Sequence, residues 1–185
     1  ARILSAATEL FSEGGYEGTS TRALGAAAQA NIATIAYHFG DKEGLYHAVL
    51  QRAYAGMLEL EVPDALPKDA SERIRRLVAT VFYFARERSD EVRLMLRHVL
   101  KHGSLPNEIR ASGTAQLFER LDSVRGALGL PDLSSYRMEL LSLNHLIVRY
   151  AVSDLADVAT LTGDLDPTEA VVRHLGDVAV QLLGA

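Results

Sequence analysis

Histidines and other polar side chains that could carry chemistry fall in two places along the chain. His98 and His102 are four residues apart, so on a helix they would share one face and could bind a metal ion. No His-Glu-x-x-His or Glu-x-x-His motif accompanies them, and the chain contains no cysteine. Two histidines on a helix are more often partly exposed polar residues, and we therefore predict no metal site and no cofactor.

The second place is QANIATIAYHFGDKEGLY, residues 29–46, in which polar side chains lie between Ile32, Ile35 and Phe39. His38 could act as an acid or a base, but no serine-histidine-aspartate arrangement and no glycine-rich phosphate loop can be inferred from the sequence. An all-helical enzyme remains an alternative, which turnover or a stoichiometric metal would support. We predict a binding surface instead, made of Asn31, Thr34, Tyr37, His38 and Lys42.

The composition is that of an ordinary globular chain of 185 residues, with 48% hydrophobic and 23% charged residues. The lack of cysteine excludes disulfides and thiolate zinc sites and favours a reducing cytoplasm. The sequence shows no signal-peptide pattern and no apolar run that would span a bilayer, so we predict a cytoplasmic protein with no membrane partner. Ala1 already lies in a helical pattern, and we expect native residues before it.

The net charge of −5 argues weakly against a nucleic-acid partner. The region around the second polar stretch differs, however. Between residues 18 and 52 the bases Arg22, Lys42 and Arg52 outnumber the acids Asp41 and Glu43 by one. A surface with so few cations would neutralise few phosphates, so any binding to DNA should show a modest salt dependence.

Apolar residues recur at helical spacing along almost the whole chain, and no segment alternates as a strand. We predict an all-α fold of about nine helices. An N-terminal three-helix helix-turn-helix domain spans residues 1–47, with Thr19 and Asp41 as helix N-caps, and a fourth helix, about 42–60, connects it onward. A helical ligand-binding and dimerisation domain spans residues 48–185, and a turn-rich hinge, VPDALPKDA, lies within it at 62–70.

Three short helices with a tight turn between the second and third make a helix-turn-helix, whose second helix enters the major groove of DNA. Here that helix runs from Ile32 to about Tyr37. Ile35 and Phe39 should face inward and fix the helix on its neighbours. The residues expected to face bases or the adjacent backbone are small or hydrogen-bonding: Asn31, Ala33, Thr34 and Tyr37.

The segment AATELFSEGGYEGTSTRALGAAAQANIATIAYHFGDKEGLYHAV resembles the DNA-binding domain of TetR-family transcriptional regulators. The family pattern is A…LF…GY…T(T/S)…(I/L)A…A, followed by T(I/L)YYHF.(D/S)KE.L, and the resemblance covers residues 1–50. It implies a homodimeric regulator of double-stranded DNA, most often a repressor, that leaves a pseudo-palindromic operator when a small-molecule effector binds. The turn Gln-x-Asn-Ile-Ala also looks like that of one subgroup of the family.

The resemblance further implies a role for individual residues. Thr19, Ser20 and Lys42 would contact phosphate, and Arg22 would reach a base edge such as guanine. Two positions depart from the pattern, because Gln29 replaces the turn glycine and Ala36 replaces the first aromatic residue of Tyr-Tyr-His-Phe. The whole predicted DNA-binding set is Thr19, Ser20, Arg22, Asn31, Ala33, Thr34, Tyr37, His38 and Lys42.

The C-terminal half should hold an effector pocket and a dimer interface, as the same resemblance implies. The pocket candidates are aromatic or polar residues on its helices: Phe82, Tyr83, Arg86, Met95, His98, Phe118, Asn144, His145 and Arg149. The interface candidates lie on the last two predicted helices, 134–160 and 167–184: Leu143, Ile147, Tyr150, Val171, Leu175, Val178 and Leu182.

Three alternatives stay open at this point. The last two helices might simply close the core of the monomer, and Asn144, His145 and Arg149 would serve equally well as pairs across a dimer interface. The third alternative is a dimeric interaction module that has lost DNA binding, which the acidic net charge and Ala36 favour.

Overall fold

The computed structural model describes residues 2–63, 65–129, 136–162 and 166–184, without the side chains of 112–118, 120, 121, 137 and 162. Helices account for all the regular structure in these ranges, and no strand occurs there, which confirms the predicted all-α class. The helices are α1 (Arg2–Gly18), α2 (Thr21–Ala27), α3 (Ile32–Phe39), α4 (Lys42–Met57), α5 (Ala70–Glu87), α6 (Ser89–His102), α7 (Asn107–Leu128), α8 (Arg137–Ala151), α9 (Ala156–Thr162) and α10 (Pro167–Leu183).

These helices pack into two compact units. Unit 1 comprises Ala1–Glu59 and Ser89–Thr114, and unit 2 comprises Leu60–Arg88 and Ala115–Ala185. Unit 1 therefore contains α6 and the start of α7 in addition to α1–α4. The functional division into 1–47 and 48–185 stays a prediction, but packing groups the helices differently from a simple cut of the sequence.

The core of unit 1 is built around α1 and α4. Phe11 is fully buried, and its ring meets the ring of Tyr46 edge-on, with 5.0 Å between centroids. Tyr16 adds a third ring, 5.1 Å from Tyr46. Aliphatic side chains from α2, α3, α4 and α6 complete the core, namely Leu24, Ile35, Leu45, Val49, Leu50 and Leu94.

Polar contacts also fasten α6 to α1 within unit 1. The buried Ser12 hydroxyl lies 3.1 Å from the Asp90 carboxylate, and Lys101 forms an ion pair with Glu17 at 3.1 Å. The Arg97 guanidinium donates to the Glu13 carbonyl at 2.9 Å. Because the Asp90 contact reaches a buried hydroxyl of α1, α6 is an integral part of unit 1.

Unit 2 is a packing of α5, α8 and α10. Its core draws Val78 and Phe82 from α5, Ile147 from α8 and Leu175 from α10, all of them buried. The helix predicted over 134–160 is interrupted after Ala151, and α9 begins only at Ala156. This interruption explains why the sequence suggested one helix fewer.

Two side chains stabilise the interruption between α8 and α9. Arg86 donates to the carbonyls of Ala151 and Ser153, at 3.0 and 2.6 Å, and so satisfies acceptors that the end of α8 leaves free. Asp154 accepts from the Ala156 amide at 2.9 Å and caps α9. Arg86, which the sequence suggested as a ligand-pocket residue, therefore has a structural role at the end of α8.

The predicted dimer interface needs correction. Leu143, Ile147, Val171 and Leu175 are buried inside a single chain, so they already pack on α5 and on each other's helices. Only Leu182 of the predicted set is well exposed, while Tyr150 and Val178 are half-buried. No helix in the described ranges is long and apolar enough to cross a membrane.

The junction between α3 and α4 depends on a close backbone approach at Gly44. A Cβ atom built at this position would overlap the carbonyl oxygen of Phe39, and backbone cannot give way as a flexible side chain can. In the same turn, Asp41 accepts from the Gly44 amide at 2.8 Å, which confirms Asp41 as the N-cap of α4.

We expect Gly44→Ala to lower the free energy of unfolding by about 1–3 kcal/mol, because overpacking forces a backbone shift. Gly56→Ala is the matched control in the same helix, since its Cβ would meet only Glu91 Oε2 at an ordinary 3.5 Å. That control should be neutral or stabilising by up to about 1 kcal/mol. Urea unfolding of both variants measures the difference, and equal effects would contradict the close approach.

Candidate nucleic-acid interface

The turn between α2 and α3 is tight and keeps a left-handed residue where the TetR pattern has glycine. Gln29 has φ 49°, a conformation that costs a non-glycine residue some strain. The Ala30 amide donates to the Gly25 carbonyl at 2.9 Å. A Cβ at Gly25 would stand 3.1 Å from the Ala30 oxygen, so a glycine lets the two helices approach. Gln29 therefore adopts the left-handed conformation that the turn requires, even though it stands in place of a glycine.

The N-terminus of α2 is capped by Ser20, and the prediction of Thr19 was wrong. Ser20 Oγ accepts from the Ala23 amide at 3.1 Å and is exposed. Thr19 is buried, and its hydroxyl lies 2.8 Å from the Gly15 carbonyl and 3.0 Å from that of Leu10. Thr19 thus holds the end of α1 and is not available to a phosphate.

Helix α3 presents almost its whole surface to solvent. Only Ile35 is buried and Phe39 half-buried, which confirms that these two face inward. Asn31 caps the helix by accepting from the Ala33 amide at 2.9 Å. The exposed side chains are Ile32, Ala33, Thr34, Ala36, Tyr37 and His38. Tyr37 is 86% exposed, an unusual position for a large ring that has a core available.

Lys42 is not the free cation that the sequence suggested. It is half-buried, and its ammonium donates to the carbonyls of Tyr16 at 2.9 Å and Thr19 at 3.1 Å. The same ammonium lies 4.0 Å from the centroid of the Tyr16 ring, in a cation–π contact. Two of its three N–H groups are therefore used inside unit 1.

Arg22 remains the exposed cation on α2, and it makes no hydrogen bond or ion pair with the part of the chain that the structure describes. A second cation, Arg2, was not anticipated. Its guanidinium donates to the Gln29 carbonyl at 3.3 Å, in a cleft of about 680 Å³ beside α3 that Asn31, Thr34 and His38 also line. Arg2 lies in the first turn of α1, and no sequence motif there indicated that its side chain would reach the surface beside α3.

The nine predicted pocket residues are distributed over both units. Met95 and His98 belong to unit 1, where Met95 packs against the core. The others that can be placed belong to unit 2, in which Phe82 is core and Arg86 caps α8. The side chain of Phe118 lies outside the described residues. The remaining four are exposed: Tyr83, Asn144, His145 and Arg149.

His98 instead belongs to a polar cluster in unit 1. Its side chain is only 7% exposed, and its Nδ1 lies 3.2 Å from the Tyr46 hydroxyl. The ring stacks on His102, with 4.4 Å between centroids, at the edge of a cavity of about 640 Å³ that His47 also lines. Within the described ranges, no three His, Cys, Asp or Glu side chains are grouped so as to hold a metal ion.

Comparison with known proteins agrees with this geometry. Residues 3–49 match the family model for bacterial regulatory proteins of the tetR family. Residues 3–49 thus form an N-terminal domain of the TetR-family type. The match covers the helix-turn-helix and about the first two turns of α4, which is the region whose exposed face has just been described. Membership of the Gln-x-Asn-Ile-Ala subgroup stays a prediction.

Individual proteins support the same assignment. YttP of Bacillus subtilis, named as an HTH-type transcriptional regulator, is 27% identical over 114 residues, which cover 60% of this chain and 55% of YttP. NicS of Pseudomonas putida, named as an HTH-type transcriptional repressor, is 35% identical over 86 residues, 45% of this chain and 41% of NicS. The chain thus matches only about half the length of these relatives.

A solved structure resembles this chain well beyond the N-terminal domain at residues 3–49. The crystal structure of SCO4942 from Streptomyces coelicolor, described as a transcriptional regulator, superposes with a TM-score of 0.71. The superposition covers 98% of this chain and 96% of SCO4942 at 21% identity. At this level of identity the likeness establishes a shared fold for both units and nothing finer.

Burial lowers the pKa of His98 below its ordinary value of 6.5, and the nearby His102, His47 and Lys101 lower it further. Burial also raises the pKa of Tyr46, so the phenol that contacts His98 stays protonated. His98 therefore binds its proton less readily in the folded protein than in the unfolded chain, whose histidine takes up a proton as the pH falls through about 6.5.

We expect the free energy of unfolding to fall as the pH drops from about 7.5 to about 5.5, because the unfolded state binds more protons there. Denaturant unfolding at several pH values measures this. His98→Gln should flatten the profile relative to the native protein, whereas His145→Gln, at an exposed position of α8, should leave it unchanged. Parallel profiles for the native protein and His98→Gln would show that His98 is not the group responsible.

Proposed function

We propose that the protein is a sequence-specific transcription regulator that inserts α3 into the major groove of double-stranded DNA. The observation that carries this proposal is the exposure of α3, in which six of eight side chains face solvent while Ile35 fixes the helix on the core. A helix that only served stability would bury a broader stripe. An exposed, polar and partly aromatic helix after a tight turn is the arrangement that reads base edges.

Individual side chains suggest how the DNA would be recognised. Ala33 and Ala36 are small and exposed, so the α3 backbone can approach the groove closely. Thr34 and Tyr37 offer hydroxyl groups beside them, and Arg22 offers a fork that suits the O6 and N7 atoms of guanine. Ser20 and His38 are exposed as well, and their side chains suit phosphates. Arg2 extends this surface beside α3.

A homodimer on a pseudo-palindromic operator is the second part of the proposal, because two copies related by a two-fold axis would place two α3 helices in successive major grooves. The side of α8 that points away from the core carries exposed apolar residues. Met138 is 68% exposed and Leu141 46% exposed, and Leu146 is also exposed. Leu182 on α10 is exposed as well. We propose this surface as the dimer contact in place of the four buried residues first predicted.

Regulation would follow the family scheme: the protein acts in the cytoplasm as a repressor, and a small-molecule effector releases it from DNA. The relative NicS is named as a repressor, which favours repression over activation. Release requires that the effector bind two conformations with different affinity. No catalytic activity is part of this proposal.

We expect selection from a random duplex library to yield a palindromic sequence. Arg22→Ala and Thr34→Ala should each weaken binding to it by about 5- to 150-fold, the loss typical of one base contact of about 1–3 kcal/mol. Arg52→Ala is the control, because Arg52 contacts Ser5 on another part of unit 1. Fluorescence anisotropy with the selected duplex measures all four proteins.

Two results would contradict the DNA-binding proposal. One is a folded, dimeric protein that enriches no sequence, which would favour an interaction module. The other is an Arg52→Ala protein that loses as much affinity as Arg22→Ala, which would show that only total charge matters.

We expect Leu141→Glu to shift the protein towards monomer, because a carboxylate would be buried without a partner in the proposed contact. Leu161→Glu is the control, since Leu161 is 87% exposed on α9 and outside the proposed contact. Sedimentation velocity over a range of concentrations should separate the two variants by at least about tenfold in dimer dissociation constant, equivalent to about 1.4 kcal/mol. If both variants dimerise like the native protein, the contact lies elsewhere.

A further inference from the structure

The break near the end of α1 places two backbone acceptors, the Tyr16 carbonyl and the Thr19 carbonyl just after the helix, where a side chain of another helix reaches them. Gly15 has φ 68° and ψ 178°, so the helix is broken there and the residues that follow turn away from its axis. The Thr19 amide reaches the Tyr16 carbonyl only at 3.4 Å. The carbonyls of Tyr16 and Thr19 instead converge on a single cation from another helix.

That cation is Lys42, and three different groups hold its ammonium in place. Two are the carbonyl oxygens at 2.9 and 3.1 Å, and the third is the face of the Tyr16 ring at 4.0 Å. The ring itself is fixed, because it packs against Tyr46 in the core of unit 1. Carbonyl dipoles and an aromatic face both attract a compact positive charge, so the site suits an ammonium ion.

The position of Lys42 in the chain gives this contact its significance. Lys42 is the first residue of α4, and only Gly40 and Asp41 separate it from the end of α3. The Phe39 carbonyl is packed tightly against Gly44 in the same junction. A tie from Lys42 to the end of α1 therefore also fixes the C-terminal end of α3, the helix proposed to enter the groove.

We propose that Lys42 is a positioning residue for DNA recognition, which sets the placement of α3 relative to α1, and that it is not primarily a phosphate ligand. This inference rests on the proposed function. It makes a distinction that binding experiments can resolve. A phosphate contact contributes equally to every DNA sequence and to the salt dependence, whereas the placement of α3 matters only where base edges are read.

The test compares Lys42→Met with the native protein on two duplexes, the selected operator and a scrambled duplex of the same length. We expect operator affinity to fall by about 10- to 100-fold, comparable to losing one or two base contacts. Affinity for the scrambled duplex should change by less than about twofold, and the slope of log affinity against log salt should stay the same. Lys101→Met is the matched control: it removes the same charge from α6, where Lys101 pairs with Glu17.

A second measurement needs no DNA. Hydrogen exchange of the α3 amides should become at least about tenfold faster in Lys42→Met, because the end of the helix has lost its tie, while the α6 amides should be unaffected. Lys101→Met should not accelerate α3. Because the exchange is measured on folded protein, it also separates a local loosening from global unfolding, which would speed every helix equally.

Three results would overturn the inference. Equal losses on both duplexes together with a salt slope shallower by about 0.9 would make Lys42 a phosphate ligand. Unchanged operator affinity and unchanged α3 exchange would leave it without a role in positioning. Equal acceleration in all helices would make it a residue of general stability. If the native protein selects no operator, the proposed function fails, but the exchange experiment still decides whether Lys42 holds α3.

Discussion

Unit 1 depends on the contact between the rings of Phe11 and Tyr46, which joins α1 to α4 at the centre of its core. Tyr46 also reaches His98 on α6, and Tyr16 beside it carries the ammonium of Lys42. A single aromatic cluster thus connects the end of α1, the start of α4 and the middle of α6. The exposed α3 helix needs to bury little more than Ile35, because α4, which follows it directly, is fixed by this cluster.

The sequence predicted the helices and the inward-facing side of α3 well, because apolar spacing and helix caps are local properties. Ile35 and Phe39 face inward as expected, and Asp41 caps α4. Long polar side chains were harder to predict. Lys42 carries a flexible four-carbon stem, and the carbonyls that attract it exist only because α1 breaks at Gly15. The glycine pair Gly14-Gly15 marks the break in the sequence, but the acceptors that Lys42 finds there cannot be deduced from a family pattern.

The C-terminal half shows a different limit. Helix α8 is apolar on several sides, so its sequence could not tell which leucines close the monomer and which remain exposed. The structure buries Leu143 and Ile147 and leaves Met138 and Leu141 outside. Similarly, Met95 and His98 looked like pocket residues, yet α6 packs in unit 1. Long-range packing decided both points, and periodicity carries no information about it.

The shortness of α3 limits how much sequence this helix can specify. Eight residues rise about 12 Å, which spans about 3–4 base pairs at 3.4 Å each. Two copies then define about seven base pairs, or about 16,000 different sequences, against at least about a million competing positions in a genome. An operator would therefore occur by chance many times if α3 alone chose it. In the proposed complex, a unique operator would therefore need further contacts outside this footprint, from Arg22 and Arg2, together with the sequence-dependent stiffness of the DNA between the half-sites.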